Sequence, residues 1–450
     1  MTQDGIWLTD SLCYLQEANA ILSMDSLTSM FDEKNLSPFS VDKYSVVPWG
    51  AENLLPQRVM NAMERAEIVS TNADFNWKAC YGNGPRLVRL IRDTETNKVR
   101  DFYELSEGPE YEFFVKNNVI MYLQETLTDL SYFHNAFPVL VASKDWKSIS
   151  CIRHREAVFS RWGVDKKGNI TTHLYSSKWD TVPGKGDVEE SYVLDEYNAY
   201  DDCKKELARR KYSRMCYPLY MPSPGRTYYS YPGWYSIFRS GWFDNITSIP
   251  ALKKAILKHN LGVRYIIYIS PAYFDKKERE AGINKTDIEA CKELRKQLVD
   301  DISNVITGAE NAGKVIAAIR EFIPTGSSAI EDKYISVETI KNNIVDGEYL
   351  TDYETGANVI SYAMEVHPSL IGAVPGKNSN SLSGSNQREL FMMKQALSRP
   401  MIDVALSPFN VIKRINGWDK DVVVAVPEYI FTTLDHNKSG KLESTNVTTK

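Results

Sequence analysis

Three segments in the second half of the chain carry apolar residues at steps of three and four, the spacing that places them on one face of an α-helix. An apolar helix face needs a partner, so the chain is constrained to a fold with several long, packed helices. The apolar positions of the three predicted helices are Ile288, Cys291, Leu294, Leu298, Ile302 and Val305; Leu350, Tyr353, Ala357, Ile360 and Met364; and Leu390, Met393, Leu397, Met401 and Val404.

The first half of the chain is a mosaic of shorter patterns. A helix is predicted to begin at Leu55-Pro56, because proline is favoured at a helix start. Residues 111–143 predict a helix followed by a strand, and residues 148–177 predict two strands around a hairpin turn at Asp165–Asn169. Residues 195–213 are predicted to be a charged surface stretch. Together these patterns predict an α+β half.

A change of composition at residues 221–234 predicts a domain boundary. This segment, MPSPGRTYYSYPGW, combines three prolines, two glycines and four aromatic residues in a stiff, extended connection. Aromatic residues in such a position more often pack than form a ligand cage. Beyond the segment we expect a helix from about Tyr235 to His259, with a kink or break at Pro250, and then a β-like stretch at residues 263–274.

The motif GAENAGKV at residues 308–315 matches the phosphate-loop pattern G-x-x-x-x-G-K, except that Val315 replaces the magnesium-binding Ser or Thr. A phosphate loop follows a strand and opens a helix, so that backbone N–H groups face the phosphates. Here the helix comes first, opened by a capping box of Thr286 and Glu289, and a strand-like stretch at residues 315–323 follows. The motif therefore meets the carbonyl end of a helix, which disfavours an ATPase.

Composition and charge exclude further classes. The 450 residues include 53 Lys and Arg against 58 Asp and Glu, a net charge of −5, whereas a protein that wraps nucleic acid needs a basic surface. We find no apolar run long enough to cross a membrane and no secretory signal. The six cysteines never form C-x-x-C, so free thiols in a reducing compartment are expected.

No catalytic residue, metal site or cofactor is expected. The six histidines are not paired at metal-ligand spacing, and no hydrolase or kinase motif set is present. Residues 435–446 imitate a calcium loop, but Asn446 stands where a bidentate Glu is required.

A polar segment at residues 368–387, PSLIGAVPGKNSNSLSGSNQ, separates the second and third predicted helices. It has no periodicity, and a loop of this length inside a helical region is either functional or mobile. Asn386 and Glu389 can cap the helix that follows. The tail at residues 439–450 is predicted to be disordered.

Four segments together resemble the portal proteins of tailed bacteriophages, the head-to-tail connector family. They are WGAENLLPQ at residues 49–57, GAENAGKVIAA at 308–318, AMEVHPSLIGAVPG at 363–376 and SGSNQRELFMM at 383–393. Each is weakly specific, whereas their order and spacing are more so, and the resemblance covers roughly residues 45–430. Two departures are a C-terminal part too short for a large crown or barrel and Pro250 within the first stem helix.

The resemblance implies an α+β portal fold without enzymatic activity. A cyclic ring of about twelve subunits would replace one pentamer at a capsid vertex, with double-stranded DNA passing through it during packaging and ejection. The implied partners are other copies of the chain, the DNA, the major capsid protein, the large terminase subunit and a head–tail adaptor, and no membrane. The implied location is the portal vertex of the virion, after assembly in the host cytoplasm.

The resemblance also implies a division of the chain. Its parts are a wing at residues 1–234, a first stem helix at 235–261, a small α/β clip at 262–334, a second stem helix at 335–366, a tunnel loop at 367–386, and a wing-return helix with a short tail at 387–450.

The charge balance suits a conduit, because tight binding of phosphates would stall the DNA. About twelve stem helices packed in a circle leave a bore of about 24 Å, just wide enough for a duplex. A few side chains, mostly positively charged, would then contact the DNA at intervals. The candidates are Lys253, Lys254 and Lys258 in the stem, Lys377, Asn378, Asn380 and Ser381 in the tunnel loop, and, for partner binding by the clip, Tyr273, Lys276, Lys277 and Arg279.

The candidate residues also have simpler structural interpretations. The stem lysines also fit an ordinary solvated helix face, and the loop residues also fit a plain surface loop. The alternatives for the whole chain are another virion structural protein, such as a head–tail adaptor or minor capsid protein, and a packaging ATPase or nuclease. The long insertion between two helices at residues 262–334 favours a portal over an adaptor.

Overall fold

The computed structural model describes residues 6–9, 12–15, 20–23, 37–184, 186–260, 265–269, 271–284, 288–307, 320–325, 328–333, 335–339, 348–371 and 384–428. The chain divides into two compact units. The first combines Met1–Ala251 with Gly347–Lys450, and the second is Leu252–Asp346.

Helices alternate with short strands along the first unit, and the longer helices lie in the second half of the chain. The helices are α1 Leu55–Glu64, α2 Glu67–Tyr81, α3 Pro109–Lys116, α4 Val119–Phe133, α5 Ala199–Arg209, α6 Ser236–Arg239, α7 Trp242–Asn260, α8 Pro271–Glu280, α9 Ile288–Thr307, α10 Glu348–Ala363, α11 Pro368–Ile371 and α12 Gly384–Asn416.

The strands are short, and most pair with neighbours in antiparallel register. They are β1 Ile6–Thr9, β2 Leu12–Leu15, β3 Ala20–Ser23, β4 Phe39–Val41, β5 Tyr44–Val46, β6 Arg86–Arg92, β7 Val99–Glu104, β8 Asn135–Ala136, β9 Val139–Ala142, β10 Ile149–Arg153, β11 Ser160–Val164, β12 Ile170–Tyr175, β13 Glu189–Val193, β14 Arg214–Cys216, β15 Leu219–Tyr220, β16 Tyr265–Ile269, β17 Arg320–Thr325, β18 Ser328–Lys333, β19 Ile335–Thr339 and β20 Val422–Ala425.

The central element of the first unit is an eight-stranded sheet in the order β10-β9-β14-β13-β12-β11-β5-β4. Its β11–β12 hairpin confirms the predicted turn, in which Asp165 Oδ1 accepts hydrogen bonds from the backbone N–H groups of Lys167 (2.8 Å) and Asn169 (2.9 Å). Strands β13 and β14 are parallel, and α5 connects them. The charged stretch at residues 195–213 therefore contains an amphipathic helix, with Cys203 and Leu207 buried.

A second sheet brings the end of the described chain back to its first half. Strand β20 pairs with β6, and β6 pairs with β7, in antiparallel register. Asn416, at the end of α12, caps strand β10 through its side chain. Its Oδ1 accepts from the N–H of Ile149 (2.8 Å), and its Nδ2 donates to the Ile149 carbonyl (2.9 Å). The amide thus blunts an edge that could otherwise pair with another strand.

Aromatic side chains from residues 221–238 pack into the core of the first unit. Trp49 stacks on Tyr229 with ring centroids 4.3 Å apart, and the Tyr229 hydroxyl donates to the Val47 carbonyl (3.0 Å). Trp234 and Tyr235 are buried in the same cluster. These contacts agree with the expected packing role of the aromatic residues.

Arg161 on β11 is fully buried among neutral acceptors. Its guanidinium donates to Asn53 Oδ1 (2.5 Å), to the Asn53 carbonyl (2.6 Å) and to the Ser160 carbonyl (2.7 Å). Burial lowers the pKa of Arg161 to about 10. The arginine thereby ties the segment before α1 to the large sheet.

The close approach of α7 and α10 depends on Gly356. A Cβ atom at this position would lie 2.7 Å from Ile246 Cγ2 and 3.5 Å from Trp242 Cε3. Only glycine lets the two helix backbones come this near without moving those side chains. The predicted apolar positions Ala357 and Ile360 are buried on the same helix, and Met364, directly after it, is buried as well.

Two element boundaries differ from prediction. Helix α7 is continuous through Pro250, and the break falls instead at Gly241, whose φ of +82° separates α6 from α7. The β-like prediction for residues 263–274 holds only for β16. Pro271 begins α8, since proline suits the first turn of a helix better than the interior of a strand.

The described part of the second unit contains the end of α7, two strand pairs and the helices α8 and α9. Strand β16 pairs with β19 and β17 pairs with β18, all antiparallel. Between α8 and α9, Arg295 Nε donates to Oε1 of the buried Glu278 at 2.7 Å. The expected capping box at Thr286 lies outside the described residues.

Two buried histidines make stability depend on pH. His173 lies between Phe137 and Trp162, with ring-centroid distances of 5.3 and 5.9 Å. Burial lowers the pKa of His173 to about 3 and that of His134 to about 4, from an ordinary value of 6.5. Both rings are neutral in the folded chain, so the unfolded chain binds more protons below pH 6.5.

We predict that the free energy of unfolding is highest above pH 6.5 and falls by about 1.4 kcal/mol per pH unit for each buried histidine on acidification. Denaturant unfolding at pH 7, 6 and 5 measures this slope. His173→Gln should flatten it by about one proton, whereas His367→Gln, at an exposed site, should leave it unchanged. Equal slopes in the wild type and His173→Gln would contradict the assignment.

Gly356→Ala should lower the free energy of unfolding by about 1–3 kcal/mol, because the new methyl group meets Ile246 in a packed core. Helix propensity alone predicts the opposite sign, a gain of up to about 1 kcal/mol. Chemical denaturation decides between them. In an Ile246→Ala background the same change should cost less, since the clashing side chain is gone.

Candidate functional site

The site that the sequence predicts as a tunnel loop begins where α10 ends, and polar contacts hold that end to α2. Asn72 Nδ2 donates to Ser361 Oγ at 3.2 Å, and Asn76 Nδ2 donates to the Met364 carbonyl at 3.0 Å. Asn72 and Ser361 are completely buried. Because both asparagines lie on one face of α2, they fix the last turn of α10.

The helix end itself is closed by a left-handed residue and a lysine. Glu365 has a φ of +57°, and the N–H of Val366 donates back to the Ser361 carbonyl at 2.9 Å. Lys394 Nζ, from α12, donates to the Glu365 carbonyl at 3.1 Å. A cation suits the carbonyl end of a helix, although burial lowers the pKa of Lys394. One hydrogen bond thus joins α12 to the end of α10.

The structure places α11 inside the predicted range 367–386 and begins α12 at Gly384. The candidate residues Lys377, Asn378, Asn380 and Ser381 lie outside the described residues, and so do the other residues between 371 and 384.

The stem candidates lie on α7. Lys253 and Lys254 are exposed, whereas the side chain of Lys258 lies outside what the structure describes. Exposure leaves their ammonium groups accessible to an anionic ligand, but it fits a solvated helix face equally well.

The four clip candidates share α8. Tyr273, Lys276 and Lys277 are spaced so that they lie on one side of the helix, and Arg279 is exposed. Lys277 Nζ binds Glu280 Oε2 at 2.7 Å, which raises the pKa of Lys277, and Arg279 Nε donates to the Asp275 carbonyl at 3.2 Å. Some of their bonding capacity is therefore used within α8.

The helix predicted before the glycine motif is confirmed. Helix α9 runs to Thr307, directly before Gly308, and the described chain resumes in strand β17. Residues 308–319, including Lys314 and Val315, lie outside the described residues. A helix therefore precedes the motif, where a phosphate loop needs a strand.

In the described ranges, no three His, Cys, Asp or Glu side chains are grouped so that they could hold a metal ion. Among the helices described, none combines the length and apolarity needed to cross a bilayer. The calcium-like segment at 435–446 lies outside the described residues.

Two functional features escaped the sequence analysis. Gly356 lies inside a predicted amphipathic helix, where a glycine indicates close packing, so its role could have been predicted from the sequence. Lys394 gave no signal, because a lysine between apolar positions of a helix looks like an ordinary surface residue.

No family model matches the chain, and no curated protein is similar to it in sequence. Among solved structures, a chain in the virion of a native gene transfer agent particle is 12% identical with a TM-score of 0.53, and the match covers 86% of each chain. A chain in the neck of an empty particle of this kind, computed with C6 symmetry, is 11% identical with a TM-score of 0.50, covering 82% of this chain and 84% of that one. The likeness confirms the α+β fold class, and this chain has a fold that occurs in the virion and neck of such particles.

Proposed function

We propose that this chain is a portal protein, a subunit of a ring at one capsid vertex through which double-stranded DNA passes. The observation that carries the proposal is the likeness of fold over 86% of the chain to a component of a virion. A likeness over most of both chains argues for a shared architecture rather than one shared domain. The resemblance of four sequence segments to portal proteins supports the same function independently.

The order of elements fits this function. The chain leaves its first unit through α7, forms residues 252–346, and returns through α10. We assign α7 and α10 to the stem, residues 262–334 to the clip and residues 367–386 to the tunnel loop. The clip helix α8 would present Tyr273, Lys276, Lys277 and Arg279 to the large terminase subunit and then to the adaptor.

A cyclic ring is supported by the C6 symmetry with which the neck of one related particle was computed. Six-fold symmetry is compatible with about twelve subunits, and about twelve stem helices leave a bore of about 24 Å. The subunit charge of −5 would keep a duplex from binding tightly in that bore. The proposed role needs no bond-making chemistry, and its location would be the portal vertex of the virion.

Purified protein should form rings with a central hole wide enough for a duplex of about 20 Å. Negative-stain or cryo-electron microscopy, with rotational symmetry measured from end views, checks this. A monomer under all conditions, or a ring whose hole is too narrow for double-stranded DNA, would contradict the proposed function. A head–tail adaptor that assembles only with other virion proteins would remain a monomer when purified alone.

Lys253→Ala with Lys254→Ala should reduce the salt dependence of duplex binding by the ring, since each lost phosphate contact lowers the slope of log K against log salt by about 0.9. Fluorescence anisotropy of an end-labelled linear duplex, titrated between low and moderate salt, measures the slope. Lys166→Ala with Lys167→Ala, two exposed lysines in the β11–β12 turn, is the matched control. Identical slopes in both variants would leave the stem lysines as an ordinary solvated face.

A further inference from the structure

In the first half of helix α12, two residues predicted to face the core are exposed, and polar residues lie on the side that faces the chain itself. Met393 and Leu397, predicted to face a core, are 58% and 69% exposed, and Met392 is 47% exposed. On the opposite side, Ser398 is buried at 5% exposure, and Lys394 reaches the Glu365 carbonyl. The side turned toward its own chain therefore carries Lys394 and Ser398 beside the half-buried Leu390 and Phe391.

The second half of α12 sets this orientation. Ile402, Ala405, Phe409 and Ile412 are buried against α4 and neighbouring elements, and the Tyr122 hydroxyl donates to the Ala405 carbonyl at 3.0 Å. Helix α12 is continuous through Pro400 and Pro408, so the side that is buried in its second half continues along its first half. Met392, Met393 and Leu397 are consequently held on the outside as a ridge, the α12 ridge.

The same unit contains an apolar groove. Its volume is about 400 Å³, and it lies between α3, the start of α4 and strands β6 and β7. Its lining includes the apolar side chains of Leu87, Leu105, Phe114, Val115, Val119 and Ile120, and also the polar side chains of Arg86, Glu104, Ser106 and Asn118. Val115 and Ile120 are 56% and 47% exposed, as is their neighbour Met121 at 47%. We call this the α3–α4 groove.

Exposed aliphatic side chains are concentrated in these two places. Of the nine large aliphatic residues exposed in the described chain, three form the α12 ridge and three lie at the α3–α4 groove; the others are Met60, Ile91 and Val182. Single exposed apolar residues are ordinary, whereas clusters mark interaction surfaces. One cluster is convex and the other concave.

We propose that the α12 ridge of one copy of this chain inserts into the α3–α4 groove of the next copy, an inference that rests on the proposed ring. A cyclic ring is closed by heterologous contacts, in which two different surfaces of one chain are complementary. A convex apolar surface and a concave apolar surface on the same chain meet that requirement. Methionine side chains adapt readily to the shape of such a groove.

The first experiment places a charge in each surface separately. Met393→Asp with Leu397→Asp, and Val115→Lys with Ile120→Lys, should each reduce the fraction of protein in rings at least tenfold, measured by size-exclusion chromatography with light scattering. Val182→Asp, at a 71% exposed site outside both surfaces, is the matched control and should keep the rings. Unchanged far-UV circular dichroism and melting temperature show that each variant folds.

The second experiment tests the pairing. A chain with all four substitutions places aspartates opposite lysines in every contact and should recover rings that neither pair alone forms. No recovery would overturn the pairing of ridge with groove, and rings of wild-type yield from the ridge variant would overturn the contact itself. In both cases wild-type rings leave the proposed function standing, whereas a wild type without rings removes both.

Discussion

The close packing of α7 against α10 at Gly356 is the constraint on which the functional parts depend. The chain leaves its first unit on one of these helices and returns on the other, so their contact brings exit and return together. Asn72 and Asn76 then attach the end of α10 to α2, and Lys394 attaches that end to α12. The segment between α11 and α12, the proposed tunnel loop, thus lies between helices that are attached to the first unit, and such a support positions a loop accurately.

Much of the fold could be predicted because local signals agreed with tertiary packing. The hairpin turn at Asp165–Asn169, the helix start at Leu55-Pro56 and the stripe of α10 all follow from spacing and turn chemistry. Predictions failed where one residue type has two uses. A kink or break was expected at Pro250, but α7 is not interrupted there and the interruption lies at Gly241; Pro271 begins a helix in a stretch that was predicted to be β-like.

The candidate site was less predictable, for a physical reason. Periodicity identifies the face of a helix that will be buried, but it cannot say by which chain. For α10 the partner is within the same unit, and Ala357 and Ile360 are buried. For α12 the same periodicity predicted that Met393 and Leu397 face a core, but both are exposed in the isolated chain. Lys394 lies between them in sequence and faces inward, a reversal that no single-sequence pattern encodes.

This reversal has an energetic consequence for assembly. In an isolated copy, two features of α12 are unfavourable in free energy: Lys394 is partly desolvated, and the apolar α12 ridge is exposed to water. Contact with another copy would remove the second cost and leave the first unchanged. Burying apolar surface contributes about 25 cal/mol per Å² of free energy, and this contribution would appear only in the assembled state. The stability of the fold would therefore depend on the subunit concentration. The proposed contact would therefore make α12 more stable in a ring than in an isolated copy, which is the behaviour that the proposed conduit requires.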